Sequence, residues 1–351
     1  MASLSNTYTF YILLNHKFLM LLRKLTDQVY GMKKVISRRE FFRKTLVGSN
    51  AALVATSEAS RMHKSTKIAR GRVVVVRDNL VRTAKKSLKD DVVFNMLNSA
   101  ICSFFGVKSA KNAWSILFNK NDVVGIKVNC LAGKGISTSQ TLVNAIIKNL
   151  LDIGIPARQI IIWDRANDDL KRAGYKIQTS NRDVRCYGND YAGYTKQLYE
   201  SGLIGSFLSN ILVHQCSAII NVPIMKDHGI VGITNALKNF FGAIHNPNKY
   251  HSFNGDPYIA DVNMLPEIRD KVRLTVCDAL TSQYEGGPPF MPQWSWLFNG
   301  VIVAQDIVAM DSYAWKIIDD KRQEKGMKLL KEVGREQIGR ASCRERVCHR
   351  V

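Results

Sequence analysis

The residues best suited to chemistry lie between Ile219 and Ile244, where a short apolar run is followed by Lys226, Asp227 and His228. Imidazole titrates near neutral pH, so His228 is the best single candidate for a proton shuttle or a metal ligand. A nearby lysine would lower the pKa of His228 and favour a neutral ring, whereas Asp227 would act in the opposite direction. We take His228 and Lys226 as candidate catalytic residues; a purely structural histidine is the alternative.

Three lysines have the chemistry of an anion site. Lys127 interrupts an apolar run from inside, and a buried lysine is costly unless it meets an anion, a carboxylate or a ligand. Lys238, followed by Asn239, lies on the polar face of a predicted helix. Together with Lys226, these lysines would attract a carboxylate, phosphate or sulfate in a shared crevice. Lysines on a solvated surface are the alternative.

Polar residues also follow three other apolar runs. Asn129, Asp164 and Asp278 each stand at the carboxyl end of such a run. Their oxygens could coordinate a hard cation such as Mg²⁺, although Asp and Asn are equally common in turns and helix caps. A divalent metal is therefore one candidate cofactor, and Asp278 is a candidate orienting residue in catalysis. The candidate substrate-binding residues are Lys127, Asn129, Asp164, Lys238 and Asn239.

The elements that would position these side chains follow from periodicity. Ile219–Ile224 is an apolar run predicted as a strand, and Pro223 marks its exit. Residues 233–244 show the apolar spacing of an amphipathic helix. Lys226 and His228 would then lie in a strand-to-helix loop. In open α/β sheets, ligands bind at the carboxyl ends of the strands, where such loops gather. We expect all the candidate residues at that edge.

The wider pattern predicts one α/β domain over residues 70–337. Strands at 73–76, 123–128 and 160–163 alternate with helices near 92–105 and 139–153, which indicates parallel strands with right-handed crossovers. No linker or internal repeat divides this region. We expect a mostly parallel sheet with helices on both faces.

Several motifs match a known family. They are GIKVN at 125–129, IIIWDR at 160–165, KDHGIVGITNALKNFFGAI at 226–244 and DIVAMD at 306–311. With them, residues 72–318 resemble the domain of unknown function 362 family. The resemblance implies no particular activity. Some relatives carry ferredoxin-like modules, but the cysteines of this body are scattered singly without C-x-x-C, so we expect no iron–sulfur cluster bound by this chain alone.

Both ends of the chain carry separate predictions. Residues 32–60 contain SRREFFR and resemble a twin-arginine export signal, which predicts an extracytoplasmic, periplasmic location reached through the twin-arginine machinery. An ordinary basic amphipathic N-terminus is the alternative. We expect residues 1–31 to be translated upstream sequence, whose apolar part is too short to give a stable membrane span. Residues 338–351 read as a translated sequencing adapter.

The charge is consistent with an anionic ligand. The chain has 50 Lys and Arg against 29 Asp and Glu, a net charge of +21. Much of this excess lies at the two ends, and the remaining basic character fits a small anionic ligand, a membrane surface or an ordinary solvated surface. The absence of a nucleic-acid motif argues against nucleic acid as a partner.

Two functional classes remain open at this point. The preferred interpretation is an exported enzyme that acts on a small anionic substrate. The alternative is a non-catalytic accessory protein that binds a ligand or cofactor for a redox partner in an iron–sulfur system.

Overall fold

The computed structural model describes residues 71–335. The predictions for residues 1–31, 32–60 and 338–351 lie outside these described residues, so the export signal stays a prediction from the sequence.

A mixed sheet of ten strands organises residues 71–335, with a separate two-stranded sheet beside it. The strands are β1 (Val73–Arg77), β2 (Val124–Lys127), β3 (Ile160–Asp164), β4 (Arg185–Gly188), β5 (Tyr199–Ser201), β6 (Ile204–Ser206), β7 (Ala218–Asn221), β8 (Ile224–His228), β9 (Gly232–Thr234), β10 (Val272–Gln283), β11 (Ser295–Trp296) and β12 (Gly300–Ala304). The main path of the large sheet runs β1-β12-β10-β7-β2-β3-β4, and β8, β9 and β11 extend it next to β10.

Strand direction confirms the predicted fold class. The neighbours β10, β7, β2, β3 and β4 are parallel to one another. On the main path, β12 is antiparallel to both β1 and β10. The result is a mostly parallel α/β sheet, as alternating strands and helices predicted.

Helices cover the sheet on both faces. Those with α-helical geometry are α1 (Asp90–Phe105), α2 (Ala110–Leu117), α3 (Gln140–Asp152), α4 (Asn167–Arg172), α5 (Asn189–Ala192), α6 (Ala236–Asn239), α7 (Tyr258–Met264), α8 (Pro266–Arg269) and α9 (Ile307–Glu324). Single turns of other helix types lie at Ala157–Gln159, Ile211–Gln215, Phe240–Ala243, Pro247–Tyr250, Ser252–Gly255, Pro292–Trp294 and Lys331–Val333.

Alternation along the buried strands explains why two faces are covered. Ile162 of β3 packs in a cluster with α1, α2 and α3, whereas its neighbour Ile161 packs on the opposite face with α6 and α7. Successive side chains of a strand point to opposite faces, so an apolar run such as β3 requires helices on both sides. A third apolar cluster joins α9 to β8, β10 and β12.

Among the described helices, none is by itself long and apolar enough to cross a membrane. The pair α1 and α2, bent by 64°, reaches that length and composition only when the two are combined. The apolar residues of both helices lie in the core cluster against the sheet.

The segment between Ile219 and Ile244 differs from its prediction. β7 ends at Asn221, and β8 continues past Pro223 as a strand that pairs with β10 and returns as β9. Lys226 and His228 are therefore strand residues and not loop residues. The β-branched side chains that opened the predicted helix favour a strand and form β9, so the helix is reduced to α6 and one following turn.

Candidate functional site

A cavity of about 460 Å³ lies at the carboxyl ends of β2 and β3, and its wall includes residues of β8 and α6. We call it the site cavity. Polar and charged side chains supply much of its lining, with apolar residues at Leu131, Ile230 and Phe241. The predicted site residues that line it are Lys127, Asn129, Asp164, Lys226, His228, Lys238 and Asn239.

The first lysine of the set is already neutralised by a carboxylate. Lys127 Nζ lies 2.7 Å from Asp164 Oδ1 and 2.6 Å from the carbonyl oxygen of Val128, and its side chain is buried. Asp164 also accepts hydrogen bonds from the backbone N–H groups of Cys130 and Arg165. This buried ion pair offsets the free-energy cost of desolvating a lysine inside β2. Because Asp164 neutralises the charge of Lys127, this lysine has no net charge available to bind a ligand.

An asparagine joins this ion pair to the neighbouring strands. Asn239 Oδ1 accepts from Lys127 Nζ and from Asn129 Nδ2, both at 3.2 Å. Its amide group donates to Asn221 Oδ1 at 2.7 Å and to the backbone carbonyl of Lys127. Asn239 and Asn129 therefore act as positioning residues that fix the floor of the site cavity. Metal coordination by Asn129, Asp164 and Asp278 together has no support in this arrangement.

Gly242 allows the helical turn after α6 to lie directly against the ion pair. A Cβ atom at this position would stand 2.9 Å from Lys127 Nζ and 3.0 Å from Asp164 Oδ1. These separations are shorter than ordinary van der Waals contact. Glycine is required at this position because the backbone of the turn lies very close to the buried Lys127–Asp164 pair.

The three ionisable residues of β8 point to alternating faces of the strand. Lys226 and His228 line the site cavity, whereas Asp227 between them accepts hydrogen bonds from Gly287 N–H at 2.9 Å and from Gln283 Nε2 at 3.2 Å. Burial raises the pKa of Asp227 to about 6. Asp227 therefore anchors the loop at Gly287 and does not face the ligand space.

That loop forms a fixed wall of the cavity. Lys226 Nζ donates to the carbonyl oxygen of Pro288 at 2.8 Å, and Gly229 N–H donates to the carbonyl oxygen of Gly287 at 2.9 Å. A Cβ atom on Gly287 would overlap the carbonyl oxygen of Asp227, at 2.0 Å. These contacts fasten residues 286–289 to β8.

Lys226 is deeply buried and has no carboxylate within ion-pair distance among residues 71–335. Burial lowers its pKa to about 8, against the opposing effect of Asp227. A ligand anion beside Lys226 would restore the charge balance that burial has removed.

His228 is a neutral imidazole of defined tautomer. Its Nδ1 accepts from the backbone N–H groups of Ile230 at 3.2 Å and Val231 at 3.4 Å, so the ring proton is on Nε2. Burial, followed by the charge of Lys238, lowers the pKa of His228 to about 2. A neutral ring is what a neighbouring lysine favours, and this ring can donate a hydrogen bond through Nε2–H.

Lys238 meets a histidine instead of a carboxylate. Its Nζ lies 3.1 Å from His251 Nε2 and 4.2 Å from the centre of the Phe241 ring. The pKa of Lys238 is lowered to about 7 by burial and then by Lys226. His251 also stacks on His228, with ring centres 5.7 Å apart.

His251 also lines the site cavity and is not among the site residues predicted from the sequence. In the sequence, neither His245 nor His251 has metal-ligand spacing with His228, and a separation of seventeen positions argues against an approach by His245. The helix is short, and Pro247–Tyr250 folds the chain back, so His251 reaches the site. His245 packs against Tyr194 and Phe207 instead. Pro247 two residues after His245 was the available signal for this reversal.

Asp278 is not brought to the site cavity. It lines a separate cavity of about 200 Å³ with Arg82 and the glycine-rich segment at Gly133 and Gly135. There it accepts hydrogen bonds from the N–H groups of Ser139 at 2.7 Å and Leu280 at 3.0 Å. Its contacts are those of a carboxylate that holds backbone N–H groups, and we give it no catalytic role.

The glycine-rich segment leads into the N-terminus of α3. The spacing of Ser137 and Gln140 is that of a capping box, but the N-cap of α3 is Ser139, whose hydroxyl accepts from Leu142 N–H. Ser137 donates to the carbonyl oxygen of Gly133.

Among residues 71–335, no group of three or more His, Cys, Asp or Glu side chains is arranged to hold a metal ion. Within the same range, Cys102, Cys130, Cys186, Cys216 and Cys277 are free cysteines. The ionisable groups that line the site cavity are two lysines without a carboxylate partner among residues 71–335, two histidines, and the ion pairs Lys127–Asp164 and Arg165–Asp169.

Comparison with known proteins agrees with the motifs. The model of a family described as domain of unknown function (DUF362) matches residues 124–316, more than half of the chain, and the chain belongs to this family. No curated protein sequence matches. A crystal structure of a Thermotoga maritima protein is similar at 11% identity and a TM-score of 0.39, over 65% of this chain and 58% of that one. The chain thus spans less than two thirds of that protein.

Proposed function

We propose that this member of the DUF362 family is an enzyme that binds a small anionic substrate in the site cavity. The observation that supports it most is that Lys226 and Lys238 both line this cavity without a carboxylate partner among the described residues. Lys226 is fully buried and Lys238 is half-buried. An ammonium group removed from water without a counterion is costly, and an anionic ligand lowers that cost.

The two lysines and His228 have separable roles in this proposal. Lys226 and Lys238 supply positive charge to a carboxylate, phosphate or sulfate group of the substrate. His228 contributes its Nε2–H as a hydrogen-bond donor, because its Nδ1 is occupied by backbone N–H groups. A neutral donor beside two cations suits an oxygen atom that gains negative charge during a reaction.

The size of the cavity sets the class of ligand. About 460 Å³ is within the range of roughly 300–1,000 Å³ that small-molecule sites occupy. Leu131, Ile230 and Phe241 add apolar contact beside the charged floor. A small organic acid or a phosphorylated metabolite fits these dimensions and this lining.

The proposal is tested by anion-dependent melting and calorimetry on the full chain. Small carboxylates, phosphate and sulfate are compared with chloride at equal ionic strength. We expect the wild type to melt at a higher temperature with a bound anion, and Lys226→Met and Lys238→Met to lose that shift. Lys249→Met is the matched control, because Lys249 is exposed and lies outside the cavity lining.

The pH dependence gives an independent check. The anion binds the protonated lysines, whose pKa values are lowered to about 8 and about 7. Affinity should therefore fall as the pH rises through this range, and binding near neutral pH should take up protons. The proposal would be contradicted if the anion still raised the melting temperature of both lysine variants, or if the affinity for the anion were constant from pH 6 to pH 9.

Catalysis is tested separately from binding. The compound that binds best is followed by NMR for conversion with wild type and with His228→Gln. We expect turnover in the wild type and its loss in the variant, with binding retained. Binding without turnover in the wild type would favour the non-catalytic accessory class.

A further inference from the structure

We propose that the substrate anion also carries a carbonyl group, as in a 2-oxo acid, and that Lys238 forms an imine with it. This inference depends on the proposed anion site and specifies its substrate class. It starts from the contact between Lys238 Nζ and His251 Nε2, 3.1 Å apart within the site cavity.

The tautomer of His251 allows a proton to pass from Lys238 Nζ to His251 Nε2. His251 Nδ1 lies 3.1 Å from the carbonyl oxygen of Pro247, which can only accept a hydrogen bond, so Nδ1 carries the ring proton. Nε2 then has a free lone pair and accepts from Lys238 Nζ. His251 is thus able to take a proton from the ammonium group and leave a neutral amine, which is the nucleophilic form of lysine.

The other lysines of the site lack this arrangement. Lys127 Nζ is held as an ammonium by Asp164 at 2.7 Å. Lys226 Nζ donates to the carbonyl oxygen of Pro288, which has no capacity to accept the proton itself. Lys238 therefore serves as the nucleophile, and Lys226 serves as the cation that holds the substrate carboxylate.

Phe241 contacts both Lys238 and His251. Its Nζ lies 4.2 Å from the Phe241 ring centre, and the Phe241 ring meets His251 edge-on at 5.4 Å. An amine held between an aromatic ring and an imidazole has few orientations available, which favours attack on a substrate placed by Lys226.

The chemical step balances without any further reagent. His251 Nε2 takes a proton from the Lys238 ammonium, and the neutral Nζ attacks the carbonyl carbon while the C=O electron pair moves to oxygen. A proton passes from nitrogen to that oxygen, His251 returns its own proton to the hydroxyl group, and water leaves. The products are a protonated imine on Lys238 and one water molecule.

The test is reductive trapping of the full-length protein with pyruvate and borohydride, read by intact mass and peptide mapping. We expect one reduced adduct on Lys238 in the wild type, and none at that position in Lys238→Arg. Arginine keeps the positive charge, so Lys238→Arg should still show anion-dependent melting. Lys226→Met should lower the yield by about tenfold, the value of one charge-assisted hydrogen bond.

Controls separate specific from general labelling. Acetone has the carbonyl without the carboxylate and should label Lys238 weakly, whereas excess lactate, which has no carbonyl, should protect it. If pyruvate binds but no adduct forms, or if label spreads equally over exposed lysines in wild type and Lys238→Arg, the imine proposal is wrong and the anion site stands. If pyruvate and the other anions do not bind at all, both proposals fail.

Discussion

At the scale of the residue, three lysines that look alike in the sequence have different chemistry. Lys127 is paired with Asp164 at 2.7 Å, whereas Lys226 and Lys238 have a carbonyl and an imidazole as partners. The sequence could predict that a lysine inside a buried strand needs a partner. It could not predict which partner each lysine has, because residues 37 and 13 positions apart meet only through the fold.

The Lys127–Asp164 pair gives the first prediction at this scale. Asp164→Asn leaves the Lys127 ammonium buried without its counterion, which should lower the free energy of unfolding by about 3–5 kcal/mol. Denaturant unfolding measures this change. Asp168→Asn is the control, because Asp168 has an 83% exposed side chain in a surface ion pair. Equal stability of the two variants would show that the buried pair is not needed for folding.

His228 gives a prediction about acid stability. Its pKa is lowered from 6.5 to about 2, so within this range the unfolded chain binds a proton at His228 that the folded protein does not. Stability should therefore fall as the pH drops below 6.5, by up to about 1.4 kcal/mol per pH unit.

Unfolding of His228→Gln from pH 7 to pH 4 checks this expectation. The variant should lose less stability on acidification than the wild type, since glutamine takes up no proton. His214→Gln removes an exposed histidine as the control. Parallel pH profiles for His228→Gln and wild type would show that burial of His228 does not oppose its protonation.

At the scale of the element, regular strands and long helices were predictable, and the local structure around the site was not. β2, β3, α1 and α3 lie within a few residues of their predicted positions because strong apolar periodicity specifies them. The 233–244 segment has the same periodicity but contains β9, a four-residue helix and one turn. Pairing of β9 with β8, and capping of α6 by Asp311, override the helical pattern.

The turn after α6 gives the prediction at this scale. Gly242→Ala would place a methyl group 2.9 Å from Lys127 Nζ and should force the turn and the ion pair apart. We expect a loss of about 1–3 kcal/mol in the free energy of unfolding, and weaker anion-dependent melting.

Gly205→Ala is the matched control for this substitution. The nearest atom to its added methyl group is 3.7 Å away, and the position lies outside the site cavity. If Gly242→Ala and Gly205→Ala have the same stability, the close approach at Gly242 is not what positions the ion pair.

At the scale of the whole molecule, the parallel sheet explains why residues from four parts of the chain share one cavity. The carboxyl ends of β2 and β3 bring Lys127 and Asp164 to the same edge, and β8 and α6 add His228 and Lys238. The sequence predicted this convergence from strand direction alone. It misplaced Asp278, because β10 continues for twelve residues and its middle, not its end, carries that carboxylate.

A crystal of the protein soaked with selenate, a tetrahedral anion with strong anomalous scattering, shows directly whether an anion binds between Lys226 and Lys238. We expect an anomalous peak in the site cavity within hydrogen-bond distance of Lys226 Nζ and Lys238 Nζ, and no such peak in crystals of the double variant Lys226→Met, Lys238→Met. An empty cavity, with selenate bound only at surface lysines, would contradict the account.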